Sequence, residues 1–111
     1  FKNKKTLLAM TAHIIYKNYD PIYTATHSKI IIKKIIRKKL KYKKIIISDD
    51  ISMKSLKFDF KSNVLKAFDA GCNLVLHCNG KIKEMNKLAD ISPKIDNFTF
   101  KKTSQLYRFL L

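Results

Sequence analysis

The stretch Ile45-Ile46-Ile47-Ser48-Asp49-Asp50 sets three β-branched apolar residues directly against a hydroxyl and two carboxylates. Apolar residues without polar alternation are what a strand covered on both faces requires, and such strands belong to parallel sheets. Two adjacent carboxylates at the close of a buried strand are costly unless they are solvated, paired or used. Ser48, Asp49 and Asp50 are therefore expected at the C-terminal end of a strand, where parallel α/β folds hold their functional residues. A plainer reading of Asp49 and Asp50, as caps for a following helix, stays open at this point.

Working outward, the spacing predicts a helix from Lys29. Ser28 serves as its cap, and Ile31, Ile32, Ile35, Ile36 and Leu40 form one apolar stripe. Lys33, Lys34, Arg37, Lys38 and Lys41 fill the opposite side. Before it lies a loop from Tyr16 to His27, marked by Asp20-Pro21, and before that a second non-alternating run, Leu7 to Ile15. Downstream, Asp49 to Lys61 reads as a loop or short irregular helix. Ser62 is the expected cap of a helix through Ala70, and Gly71 falls where a left-handed C-terminal residue is wanted. Asn73 to His77 is the third strand, Cys78-Asn79-Gly80 a turn, and Ile82 to Ala89 a helix stopped before Pro93. The tail from Lys94 to Leu111 is ambiguous, although Phe98, Phe100, Leu106, Tyr107 and Leu110 suggest that it packs.

The order β-α-β-α-β-α recurs at roughly 30–35 residues per unit, close to the roughly 31 per unit of a (β/α)8 barrel. The expected fold class is α/β: three C-terminal βα units of a TIM-type barrel, with parallel strands and crossover helices, residues 1–111 forming one partial barrel domain. A small doubly wound sheet is the alternative. In either fold the first strand delivers His13 and Tyr16 to the functional face, the second Ser48, Asp49 and Asp50, and the third His77, Cys78 and Asn79. His13 also reads as a hydrogen-bonded core histidine, His77 and Cys78 as packing under the turn. The Tyr16, Tyr19 and Tyr23 cluster reads as loop packing or as a sugar-stacking surface.

Composition narrows the classes. With 111 residues and 46% hydrophobic content, the chain can form one domain-sized core. It begins at Phe1, so a preceding segment is expected; Lys2, Lys4 and Lys5 lead into a run that His13 interrupts, and no signal peptide is expected. No apolar stretch nears the roughly 18–20 residues of a membrane span. Cys72 and Cys78 would lie roughly 20 Å apart along a strand, beyond the ~7 Å Cα limit for a disulfide. Two buried free thiols and a reducing compartment are expected, and no zinc site. The formal charge of +16 raises nucleic acid as a partner. Yet only Arg37 and Arg108 are arginines, and the lysines are spread over every segment, so a solvated basic surface is the preferred reading.

Met10-Thr11-Ala12-His13-Ile14-Ile15-Tyr16, then Asp20-Pro21, then Ile46 to Met53, then Ala70 to Gly80, form an ordered set that resembles the β-N-acetylhexosaminidases of glycoside hydrolase family 3. The likeness covers about residues 7–93. It implies a (β/α)8-type barrel that removes terminal β-linked N-acetylglucosamine with retention, acting in the bacterial cytoplasm on peptidoglycan fragments during recycling, without a cofactor or metal. It makes Asp49 the nucleophile and places His13, Asp50, Met53 and Asn79 along the substrate cleft. In the family an Asp-paired His on a mobile loop is the acid/base, and most sugar-binding residues lie in earlier units. Those motifs do not occur here, so the chain is expected to be inactive alone, with a saccharide containing N-acetylglucosamine as partner and a separate chain as a candidate for the N-terminal half. A remnant of a split gene is a further reading. The family usually has glycines where this chain has Lys41-Tyr42-Lys43-Lys44, and Gly-Cys-Asp where it has Gly71-Cys72-Asn73.

Overall fold

A computed structural model describes residues 6–111, so Lys2, Lys4 and Lys5 lie outside the described residues. Strands β1 (Leu8–Met10), β2 (Ile45–Asp50) and β3 (Leu74–Leu76) form one sheet in the order β1-β2-β3, and both pairings are parallel. The strand that ends in the two aspartates is thus the central one. Between β1 and β2 the chain makes a 3-10 turn (Ala25–His27) and a helix (Ile30–Lys39); α1 (Phe60–Ala70) joins β2 to β3. α2 (Ile82–Ile91) and α3 (Asn97–Leu110) follow.

The core lies between the sheet and the first two crossover helices. Ile32, Ile46 and Val64 are fully excluded from solvent and cluster with Ile36, Ala67, Ala70 and Cys72. Burying each large aliphatic side chain contributes about 1.5–3 kcal/mol, and these residues hold the crossovers against the strands.

Several local expectations are corrected. The run from Leu7 contributes only a three-residue strand, with Leu8 40% and Met10 57% exposed. β1 is an edge of this sheet, so its side chains lack the second neighbour that a strand buried on both faces would have. The helix after Ser28 is wound as a π-helix: the Leu40 N–H reaches the Ile35 carbonyl at 2.8 Å, five residues back. Its stripe still points inward through Ile31, Ile32 and Ile36. Ser28 does cap it, accepting the Ile31 N–H at 3.1 Å while donating to Asp20 Oδ2 at 2.6 Å. Asp20 also accepts the Ile22 and Tyr23 N–H groups, which fastens the Asp20-Pro21 loop to the helix start. Its bond from Ser28, helped by those two N–H groups against the effect of burial, holds its carboxyl below the usual range.

α1 starts earlier than the sequence suggests. Asp59 caps it, accepting the Ser62 N–H at 3.0 Å, and Ser62 becomes the donor in its first turn. The ambiguous tail is a helix whose fully buried residue, Thr99, lies in its first turn, with Leu106 partly buried further along. Asp96 caps it through Thr99 N–H at 2.7 Å and Thr99 is buried, whereas Phe100, Tyr107 and Leu110 stay exposed. Cys72 is buried, and burial pushes its thiol up to about 12. Cys78 is exposed, contrary to the expectation of two buried thiols, because β3 ends before it. No helix among the described residues is long and apolar enough to cross a membrane.

The turn into β2 carries a visible cost. Lys41 has φ 53°, the left-handed conformation that glycine tolerates best. Lys41→Gly is expected to stabilise the chain by roughly 0.5–1 kcal/mol, since relief of the Cβ clash exceeds the added freedom of the unfolded chain. Paired urea titrations measure the difference, and a destabilised variant would contradict it.

Candidate active site

The ends of β1, β2 and β3 point the same way, so the segments after them share one rim of the sheet. On β2 the pairing with β3 is irregular. Ile47 pairs with Leu74 and Asp50 with Leu76, which leaves Ser48 and Asp49 spanning one residue more than their partner. Such bulges re-aim side chains at strand ends. Ser48, which is completely buried, repairs the ladder by accepting the Leu76 N–H on its hydroxyl at 3.1 Å. A hydroxyl there supplies the acceptor that the displaced backbone cannot.

Asp49 is half-buried at the bulge. Its Oδ1 accepts the Asp50 N–H at 2.8 Å, and among the described residues no partner holds its second oxygen. The carboxylate is anchored by one oxygen and open at the other. That is a sound arrangement for a nucleophile, which needs fixed direction and a free lone pair.

Asp50 is engaged differently. Its carboxylate takes the Ser52 N–H (3.0 Å) and hydroxyl (2.8 Å) and the Cys78 N–H (3.1 Å). Burial works against its charge, but the Ser52 bonds, the Cys78 N–H and nearby His77 outweigh it, and its carboxyl titrates below the usual range. Asp50 therefore stitches β2 to the end of β3. The Asp-x-Ser pattern of an Asx turn at Asp50-Ile51-Ser52 was a legible signal for part of this.

His13 follows β1 and is 9% exposed. Its Nε2 lies 2.8 Å from the Asp50 carbonyl and its Nδ1 2.8 Å from Thr26 Oγ1, so both ring nitrogens are used inside the protein. It stands behind the rim and not along it. Met53 and Asn79 are exposed, Met53 on the turn after β2 and Asn79 on the turn after β3. Asn79 donates to Glu84 Oε2 at 2.7 Å. The His77 side chain is only 4% exposed; it pairs with Glu84 at 2.9 Å and meets the Phe60 ring edge-on, as packing under the turn requires. Nothing in the sequence pointed to Glu84 as the residue that joins His77 and Asn79. Tyr16 and Tyr19 line an apolar groove of about 390 Å³ beside β1, whose floor includes Ala9, Ile31, Ile35 and Ile46. Tyr23 instead lies under the Lys66 ammonium. No group of three His, Cys, Asp or Glu residues converges as a metal site among the described residues.

Residues 3–103 match the family described as "Glycosyl hydrolase family 3 N terminal domain". The chain is 37% identical over 92 residues to a β-hexosaminidase of Haemophilus ducreyi, covering 78% of this chain and 26% of that protein. It is 43% identical over 72 residues to a β-hexosaminidase of Haemophilus influenzae, covering 63% and 20%. Among solved structures, native NagZ from Neisseria gonorrhoeae superposes with a TM-score of 0.74 at 26% identity, covering 91% of this chain and 28% of that one. The chain thus spans about a quarter of the length of the relatives it matches.

Proposed function

Because this chain belongs to the glycosyl hydrolase family 3 N-terminal domain family, a TIM-barrel-type fold, we propose that it forms three consecutive βα units of such a barrel and supplies the nucleophile of a retaining β-N-acetylhexosaminidase. The observation that carries this reading is Asp49 itself. It sits in a bulge at the end of the central parallel strand, with one carboxylate oxygen anchored and the other open.

In this reading the free Asp49 oxygen attacks the anomeric carbon of a terminal β-linked N-acetylglucosamine. The bond to the leaving group breaks, and the departing oxygen takes a proton from an acid outside this stretch. Water then cleaves the glycosyl–Asp49 ester, giving net retention. The substrate class is a saccharide bearing N-acetylglucosamine, of peptidoglycan type, and the setting is cytoplasmic. Asn79 and Met53, both exposed on the turns after β3 and β2, line the cleft in this reading.

The remaining barrel units come from polypeptide outside the described sheet. The outer edge of β1, which pairs with no further strand among the described residues, and the apolar groove beside it, with Leu8 and Met10 exposed, support this: a further parallel strand and its crossover helix would cover both. The experiment combines this chain with the part of the Haemophilus ducreyi relative outside the matched region and follows cleavage of a chromogenic β-N-acetylglucosaminide. Activity is expected from the mixture and from neither piece alone. A mixture in which the pieces associate but hydrolyse nothing would refute the assignment.

A further inference from the structure

We propose that His13 is a positioning residue for Asp49, acting through the backbone of Asp50; this rests on the nucleophile reading given above. A carbonyl oxygen only accepts, so the 2.8 Å contact to the Asp50 carbonyl places the proton on His13 Nε2. In the neutral ring Nδ1 is then an acceptor, and it meets the Thr26 hydroxyl at 2.8 Å. Thr26 is completely buried and its oxygen lies 2.9 Å from Thr11 Oγ1; the Ala12 carbonyl, at 3.2 Å, is its more distant alternative acceptor. Thr11, Thr26 and His13 thus form one buried hydrogen-bonded network that ends on the Asp50 carbonyl.

Asp50 is the hub that this chain of bonds reaches. His13 Nε2 at 2.8 Å and, less closely, the Met53 N–H at 3.2 Å hold its carbonyl, Ser52 and Cys78 hold its carboxylate, and its N–H is left to point at Asp49 Oδ1, 2.8 Å away. Every polar group of Asp50 is committed, and the one that faces Asp49 is aimed by the others. Being 9% exposed, His13 sets the direction of the attacking oxygen without itself meeting the sugar. Misplacement by about 1 Å can cost on the order of 10²-fold in rate.

The test uses His13→Ala and His13→Gln, since the glutamine amide nitrogen extends to about where Nε2 lies and keeps a donor for Asp50. In the completed barrel, His13→Ala is expected to lower kcat about 10–100-fold with KM little changed, and His13→Gln to recover most of the loss. Equal losses in both variants, or an unchanged kcat in His13→Ala, would overturn the proposal. Hydrogen exchange of the chain alone provides a second readout. The Asp50 amide is expected to exchange at least about tenfold faster in His13→Ala, while the amides of α1 keep their rates. Uniform acceleration across both would reduce His13 to a stabiliser of the fold and defeat the inference. If the completed wild-type barrel hydrolyses nothing, the proposed function fails, and the exchange result alone decides the role of His13.

Discussion

Asp49→Ala in the completed barrel is expected to reduce hydrolysis of a β-N-acetylglucosaminide by about 10⁴-fold or more, the scale seen when a covalent nucleophile is removed. The alanine variant keeps the bulge, the Ser48 bond to Leu76 and the Asp50 network, because none of them depends on the Asp49 carboxylate beyond the single contact from the Asp50 N–H. KM and the far-ultraviolet circular dichroism should therefore change little. Asp50→Asn should act differently. It weakens the ties to Ser52 and Cys78 and leaves the attacking group in place, so its effect should be smaller than that of Asp49→Ala. Steady-state rates together with intact mass spectrometry, which detects a glycosylated chain in the wild type and none in the alanine variant, measure both points. Undiminished turnover in Asp49→Ala would dismiss it as the nucleophile.

Gly71→Ala is expected to be the most damaging small substitution for the fold. Gly71 has φ 122° at the end of α1, a conformation that side-chain-bearing residues rarely adopt. A Cβ there would meet Ile32 Cγ2 at 2.8 Å, and Ile32 is completely buried at the centre of the core. Backbone strain of about 1–3 kcal/mol and overpacking of similar size combine to a loss of roughly 2–6 kcal/mol. Its N–H also closes α1 onto the Ala67 and Phe68 carbonyls, so the strain falls on the junction that launches β3. Chemical denaturation of the two chains measures the loss; a change under about 0.5 kcal/mol would mean that the helix–helix contact relaxes freely.

The parallel sheet with the aspartates on its central strand was legible because non-alternating apolar runs and intervening helical stripes are both written in residue periodicity. The Gly71 cap and the Ser28 cap were legible for a similar reason, since each depends on one residue type at one place. What lay beyond reach depends on partners distant in sequence. The π-winding of Ile30–Lys39 preserves an inward apolar stripe, so the pattern of isoleucines does not distinguish it from an α-helix. The bulge at Ser48 and Asp49 arises from the register against β3, which neither strand encodes alone. His13 read from its residues as a hydrogen-bonded core histidine and from the family resemblance as a cleft residue. Only the positions of Thr26 and the Asp50 carbonyl, 13 and 37 residues away, show what its nitrogens hold.

The bare flank of β1 also bears on how the chain behaves among copies of itself. A strand edge with no neighbour among the described residues, beside an oily groove, invites stacking, yet a formal charge of +16 keeps neighbouring molecules apart. That repulsion reaches roughly 30 Å in 0.01 M salt but only about 8 Å at physiological ionic strength. Dilute buffer is therefore the gentler medium for storage, and added salt removes the barrier to clumping before any part of the molecule unfolds.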